Sequence, residues 1–246
     1  KSNIYSRKTK ADYDGSASDE IGYASNNQMY ALQSSVEHIS KNSNSDLIFH
    51  YHNYDREYEN GGYLDEYYSE SLVFKGEREI IKSDKFSFGY GSEYKYDWGN
   101  FENRGSYNAS TRGHMKDLGF FGNMGYKFNK NQILSTFLRT DNHNTTGSNK
   151  TYKLNFNQTL NQFKFGITHS TGLRNPTLYE LYGTDSYGIS GNINLKPEKS
   201  KTNELYAEYN FSEKLKFIST AYRTKIFDRI ESNSAYTRHE NELIDI

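Results

Sequence analysis

Polar and apolar residues alternate with a period of two along most of the chain. In residues 86–98, Phe86, Phe88, Tyr90, Tyr94, Tyr96 and Trp98 share one parity, broken only by Ser92. Ser87, Gly89, Gly91, Glu93, Lys95 and Asp97 hold the other. Successive side chains of a strand point to opposite faces of its sheet, so this segment has an aromatic face and a small or charged one. A helix would spread the same residues around its circumference. Weaker copies run through Leu118–Phe128, Tyr152–Phe156, Phe163–Ile167, Leu205–Phe211 and Leu47–Tyr51. Residues 28–40, 67–75, 132–140, 215–228 and 1–9 alternate less cleanly. The pattern predicts about eleven strands, each near the roughly 9–11 residues of a tilted membrane-spanning strand.

The connections are of two kinds. Those at 41–45, 128–132, 158–162 and 212–214 are short, and 76–84 is somewhat longer. Between them lie polar stretches at 10–27, 55–66, 99–115, 141–150 and 173–200, and a tail from 229. A soluble sandwich has no reason to keep this asymmetry, since both its ends meet the same solvent. A transmembrane β-barrel does, with short periplasmic turns and long extracellular loops. The expectation is all-β: an antiparallel transmembrane barrel wall with Phe86, Phe88, Tyr90, Tyr94, Tyr96 and Trp98 facing lipid.

Composition sharpens this reading. Only 34% of the 246 residues are hydrophobic, yet 16% are aromatic, which separates the chain from disordered segments. A barrel strand needs apolar side chains on one face only, and aromatic girdles mark both membrane interfaces. No apolar run approaches the roughly 20 residues of a membrane helix. The net charge of −1 lacks the basic excess of a nucleic-acid binder, and the absence of cysteine excludes thiolate metal sites and disulfide staples. Lys1-Ser2-Asn3-Ile4-Tyr5 has no apolar core of a signal peptide.

Two stretches carry a specific resemblance. Residues 172–183 read Gly-Leu-Arg-Asn-Pro-Thr-Leu-Tyr-Glu-Leu-Tyr-Gly, and 191–200 read Gly-Asn-Ile-Asn-Leu-Lys-Pro-Glu-Lys-Ser. This resembles the TonB-dependent outer-membrane receptor family, whose barrels carry F-R-x-P-x-L-x-E-L-Y-G, then G-N-P-x-L-x-P-E-x-S, then a glutamate-bearing strand. The matching positions are Arg174, Pro176, Leu178, Glu180, Leu181, Tyr182 and Gly183, then Gly191, Asn192, Leu195, Pro197, Glu198 and Ser200. Leu173 stands for the usual aromatic and Ile193 for the usual proline. Arg139, Asp141, His143 and Gly147 resemble the family's R-x-D-x-H…G strand-loop-strand. Their physical reading is scaffolding: each proline biases its predecessor to extended backbone, and Leu178, Leu181, Tyr179 and Tyr182 can fold the long loop onto the barrel mouth.

The resemblance implies a bacterial outer-membrane receptor that imports a scarce ligand, cobalamin, heme or an iron siderophore, with energy supplied through TonB. The spacing from Tyr182 to the Pro-Glu-Lys-Ser run is most similar to the cobalamin-receptor branch. Family barrels have 22 strands around an N-terminal plug. Residues 1–246 therefore read as one partial barrel domain without plug, about half a barrel, meeting TonB and plug only through the rest of the parent. The expected partners are outer-membrane lipid and a small-molecule ligand, with no nucleic acid. Competing readings are a soluble secreted adhesin or glycan-binding module and a plug-less porin.

Other chemistry is sparse. His50 and His52 share a strand face, but a metal site needs three or four ligands and the sequence places no third. Asp12, Asp14, Asp19 and Glu20 cluster in one loop and can supply the hard oxygens of a calcium site, without EF-hand spacing. No cofactor is otherwise implied. Lys95, Glu93, Asp97, Lys127, Lys153, Glu204 and Glu208 fall on the parity expected to face the lumen. No phosphate loop or nucleophile motif is present, and Glu204 and Glu208 do not form a catalytic pair. The chain does not read as an enzyme.

Overall fold

The structure, a computed structural model, describes residues 1–12, 23–105, 108–233 and 237–242. Its strands are β1 (Ser2–Asp12), β2 (Tyr23–Ser40), β3 (Ser43–Asn60), β4 (Tyr63–Ser83), β5 (Phe86–Arg104), β6 (Ser110–Asn129), β7 (Gln132–His143), β8 (Gly147–Leu160), β9 (Phe163–Arg174), β10 (Glu198–Ser212) and β11 (Leu215–Phe227). These form one 11-stranded antiparallel sheet in which each strand pairs with its sequence neighbours. A short helix, α1 (Leu178–Tyr182), lies between β9 and β10. A small hairpin, β12 (Arg229–Ser232) and β13 (His239–Glu242), follows.

Register carries each face across the whole sheet. Phe86 pairs with Tyr126, Tyr126 with Leu134, Leu134 with Phe156, Phe156 with Ile167 and Ile167 with Leu205, which builds one continuous apolar row. A parallel row joins Phe49, Phe74, Tyr94 and Leu118. Phe74, Phe120 and Leu138 on this wall are at least half exposed. An apolar surface this extensive needs a hydrocarbon solvent. A soluble module would have to cover it with a second layer, and the described residues place none there.

The opposite face is polar. On it Lys95 meets Asp97 at 2.9 Å, Lys164 meets Glu208 at 3.4 Å, and Arg139 lies between Glu93 at 2.8 Å and Asp141 at 2.7 Å. Gly89, Gly91 and Glu93 share this lumenal face. A charge facing lipid at mid-depth costs about 2–4 kcal/mol, which fixes the sense of the wall.

The strand ends differ from the sequence reading. Strands cross as expected, but three stretches read as long loops at 55–66, 99–115 and 141–150 are largely strand. β3 and β4 meet in a two-residue turn, Gly61-Gly62, with φ of 57° and 94°. Two consecutive positive φ values define a type I′ hairpin turn, which glycine adopts without a Cβ clash. β5 continues to Arg104, β6 starts at Ser110, and β7 and β8 are separated by only 144–146. β1 and β2 likewise extend into 10–27, to Asp12 and from Tyr23. At ~3.4 Å per residue the 21 residues of β4 reach about 70 Å, more than any bilayer core requires. The extensions stand in water on both faces, so their sequence has no apolar parity even though the backbone ladder continues. The asymmetry survives in another form: tight turns at 41–42, 84–85, 130–131, 161–162 and 213–214 close one end, and long strand extensions rise at the other.

Candidate functional site

The buried hydrophobic residues gather at this second, extended end. Pro176 is fully buried where the chain leaves β9. Thr177 then caps α1: its hydroxyl accepts from the Glu180 amide at 3.2 Å, while Glu180 accepts from the Thr177 amide at 2.7 Å. This reciprocal box satisfies helix-end donors that would otherwise stay unpaired. It orients five residues so that Leu178 and Leu181 bury against Phe101 of β5 and Met115 of β6, joined by Leu195 and Ile230. The Thr111 hydroxyl donates to the Tyr182 carbonyl. The chain returns against the helix, with the Gly191 amide on the Gly183 carbonyl at 2.7 Å and the Asn192 amide on the Glu180 carbonyl at 2.8 Å. A Cβ at Gly191 would stand 2.4 Å from the Leu181 backbone, so this close approach requires glycine. Leu195 and Pro197 are buried on the path back to β10.

Charged groups pin both ends of this cap. The Arg174 guanidinium donates to Glu198 through Nε at 2.7 Å and Nη2 at 2.8 Å, and to Glu180 through Nη1 at 3.0 Å. Glu198 also accepts the Ile230 amide at 2.7 Å, which ties in β12. Hydrogen bonds from Arg174 and Ile230 hold the Glu198 carboxyl below its ordinary pKa. Ser200, two residues into β10, packs against Gly172. Asn241 of β13 donates to the Lys196 carbonyl at 3.0 Å and accepts from its amide at 2.7 Å.

A second latch joins residues 121 apart in sequence. Asp65, 2% exposed, accepts from Asn103 Nδ2 at 2.7 Å and from the Ser186 amide and hydroxyl at 3.2 and 2.9 Å. Asp185 accepts the Tyr179 hydroxyl, the Tyr187 amide and the Ile189 amide, each at 3.0 Å. Between these carboxylates and the wall opens a cavity of about 430 Å³ lined by Tyr54, Arg56, Tyr58, Tyr67, Tyr179 and Tyr187. Arg56 Nε is buried without an acceptor among the described residues, while its guanidinium lies 5.4 Å from the Tyr58 ring centroid. Burial and the nearby carboxylates push the Tyr67 and Tyr179 phenols well above their ordinary pKa. They are neutral donors, not phenolates. Arg56, Tyr67, Asp65 and Ser186 were not singled out by the sequence reading, because no local motif marks residues brought together across strands β3 and β4 and a distant loop.

The remaining candidates lie apart from this cavity. His50 and His52 point into the lumen with ring centroids 5.5 Å apart. Among the described residues no group of three His, Asp or Glu side chains is placed to hold a metal. His143 Nδ1 accepts the amides of Thr145 and Thr146 at 3.2 and 3.3 Å, so it shapes the β7–β8 turn. Arg139 and Asp141 belong to the lumenal ion network. The acidic cluster of Asp12, Asp14, Asp19 and Glu20 falls outside the described residues, except for the Asp12 backbone at the end of β1.

The profile of the family described as TonB dependent receptor-like, beta-barrel, matches residues 2–241. No curated protein matches the chain. Among solved structures, the siderophore receptor PirA from Acinetobacter baumannii superposes with a TM-score of 0.71 at 18% identity, covering 92% of this chain and 40% of that one. A mutant of the ferric enterobactin receptor PfeA from Pseudomonas aeruginosa gives 0.72 at 17% identity, covering 91% and 40%. The copper transporter OprC gives 0.65 at 12% identity, covering 91% and 42%. The chain thus spans about two fifths of the length of the structures it matches.

Proposed function

The chain belongs to the TonB-dependent receptor family, as part of its β-barrel, and on that premise we propose that its parent protein takes up a ferric siderophore across the bacterial outer membrane. The strand extensions and cap stand on the extracellular side, since long connections face outward in such barrels. The observation that carries the ligand class is the cavity beside the cap. The lining tyrosines offer flat, amphipathic contact surface, and the half-buried Arg56 supplies a guanidinium whose buried Nε has no acceptor among the described residues. That combination suits a polyanionic chelate that presents separate aromatic rings, such as a ferric tris-catecholate, better than a neutral ligand. Tyr67 and Tyr179 remain protonated and the Tyr179 hydroxyl is committed to Asp185, so these rings offer the chelate their faces and not phenolate oxygens that could strip its iron.

Energy coupling through TonB and a plug belongs to the parent as a whole. Fold alone does not select the cargo, and the copper transporter among the structural relatives illustrates why the cavity has to. The test is equilibrium binding to the full-length protein, using ferric enterobactin, heme and cobalamin as separate probes. Ferric catecholate should bind, and Arg56→Ala should weaken it by about 10- to 100-fold, the weight of one charged hydrogen bond. Preferential binding of cobalamin or heme would overturn the siderophore assignment, and so would an unchanged affinity in Arg56→Ala.

A further inference from the structure

The lipid-facing wall of β2–β5 is not uniformly bulky. Val36, Leu47, Gly76 and Ser92 stand on one cross-strand row, where the two small residues leave a depression. Phe49, Phe74, Tyr94 and Leu118 form the next row towards the cap. Together the rows enclose a furrow of about 450 Å³ on the outer surface, with Val36 and Leu47 forming its far bank. The row after that, towards the tight turns, carries His38, Ser45, Arg78 and Tyr90. Arg78 is exposed, two residues along β4 from Gly76. Its Nη2 donates to Ser43 Oγ at 3.5 Å, beside the 41–42 turn. Its strand neighbours Glu77 and Glu79 have the opposite parity and point to the lumen, where Glu77 meets Lys75 at 2.9 Å. No described carboxylate forms an ion pair with Arg78.

An unpaired guanidinium on a lipid-facing wall is tolerable only near an interface, where the cost of facing hydrocarbon falls away. Arg78 is at that depth, close to the tight-turn end, with an apolar furrow leading from it towards mid-membrane. We propose that this outer surface binds one glycerophospholipid of the turn-side leaflet, with an acyl chain in the furrow and the phosphate on Arg78. Guanidinium and phosphate match as a bidentate, charge-assisted pair. Ser43 and Ser45 stand beside the headgroup and the small Gly76–Ser92 step gives the chain its bed. A second copy of the protein is the poorer occupant: it would need an acid to meet Arg78, and the outward rows around the furrow carry none to offer in return.

The test uses the full-length protein, stripped of lipid in detergent, exposed to phosphatidylglycerol and followed by native mass spectrometry. Only the folded, heat-modifiable fraction is read. Wild type should retain one phospholipid. Arg78→Gln and Ser92→Leu should each lower retention by about tenfold, the scale of one lost charged hydrogen bond or a filled binding groove. Arg78→Lys should keep most of it, and Arg112→Gln at the opposite end should change nothing. Equal retention of diacylglycerol, which lacks the phosphate, would overturn the headgroup assignment. Retention indifferent to both variants would overturn the site. A dimer that Arg78→Gln converts to monomer would replace the lipid with a second copy.

Discussion

The outer wall and the cap both concentrate aliphatic and aromatic side chains, for opposite reasons. On the wall Phe74 and Leu138 remain 50% and 64% exposed; in the cap Leu181 and Leu195 are 1% and 3% exposed. The wall residues touch their cross-strand neighbours, as Phe74 does Phe49 at 4.9 Å between ring centroids, and leave their outer half to lipid tails. The cap residues exclude water and pack against one another, as in a soluble core. One hydrophobic vocabulary therefore serves two solvents. The wall depends on where its side chains point, whereas the cap depends on how closely they fit.

The largest effect should come from the cap. Leu181→Ala removes its most buried large side chain, and core truncations of this kind cost about 2–5 kcal/mol. Amide exchange across 178–195 should accelerate strongly while the β4–β9 ladders stay protected and the barrel remains heat-modifiable. Unchanged exchange in the cap would show that Leu181 fills no essential volume. The wall should respond to direction instead. Phe120→Arg places a cation in lipid and should destabilise by about 2–4 kcal/mol if that position lies near mid-depth. Asn123→Arg, three residues on and facing the lumen, should change stability by less than about 0.5 kcal/mol, as exposed substitutions do. Chemical unfolding from liposomes compares the two; equal losses would mean that the faces are misassigned.

The same contrast decides what the sequence made legible. Wall strands announce themselves because lipid imposes a period of two, so Phe86, Phe88, Tyr90 and Tyr94 are readable without a structure. The family motif at 172–200 is readable as a motif. Strand ends at 55–66 and 99–115 are not, because beyond the membrane both faces meet water and the alternation disappears while backbone pairing continues. The helix α1 has only five residues, too few for a helical period to emerge. The Asp65 latch joins positions 121 apart, and nothing local to Asp65 or Ser186 records it. The cavity tyrosines are equally silent, since Tyr54 and Tyr67 look like any girdle aromatic until register turns them inward.

A smaller effect is expected at that latch. Asp65→Ala leaves the Asn103 amide and the Ser186 hydroxyl and amide without their buried acceptor, a loss of about 1–3 kcal/mol for unsatisfied groups. Residues 184–190 should exchange faster, and ferric siderophore affinity should fall as the cavity loses its rim. Asp65→Asn keeps the shape and one acceptor oxygen and should fall between the two. If both variants matched wild type, the latch would be a consequence of the cap's position and not a cause of it.

The smallest effect separates charge from packing within the cap. Glu198 has its pKa depressed, first by the Arg174 hydrogen bond and then by the Ile230 amide. A carboxyl whose folded pKa lies below its ordinary value contributes stability above that value and loses it as pH falls through the folded pKa. Cap protection should therefore be level from neutral pH down to the ordinary glutamate value of 4.5 and decline below it. The Arg174 side chain is 42% exposed, so solvent screening keeps the contribution modest. Glu198→Gln should flatten the acid limb, because the replacement cannot ionise. Arg174→Lys preserves the positive charge but cannot bridge Glu180 and Glu198 with a planar fork, so it should loosen the cap at every pH without steepening the limb. The lipid-facing aromatic and aliphatic rows, where the described residues hold no such pair, should show no matching decline. An acid limb of equal depth in Glu198→Gln would assign it to other carboxylates of the cap, and the Arg174 fork would then be a geometric clamp only.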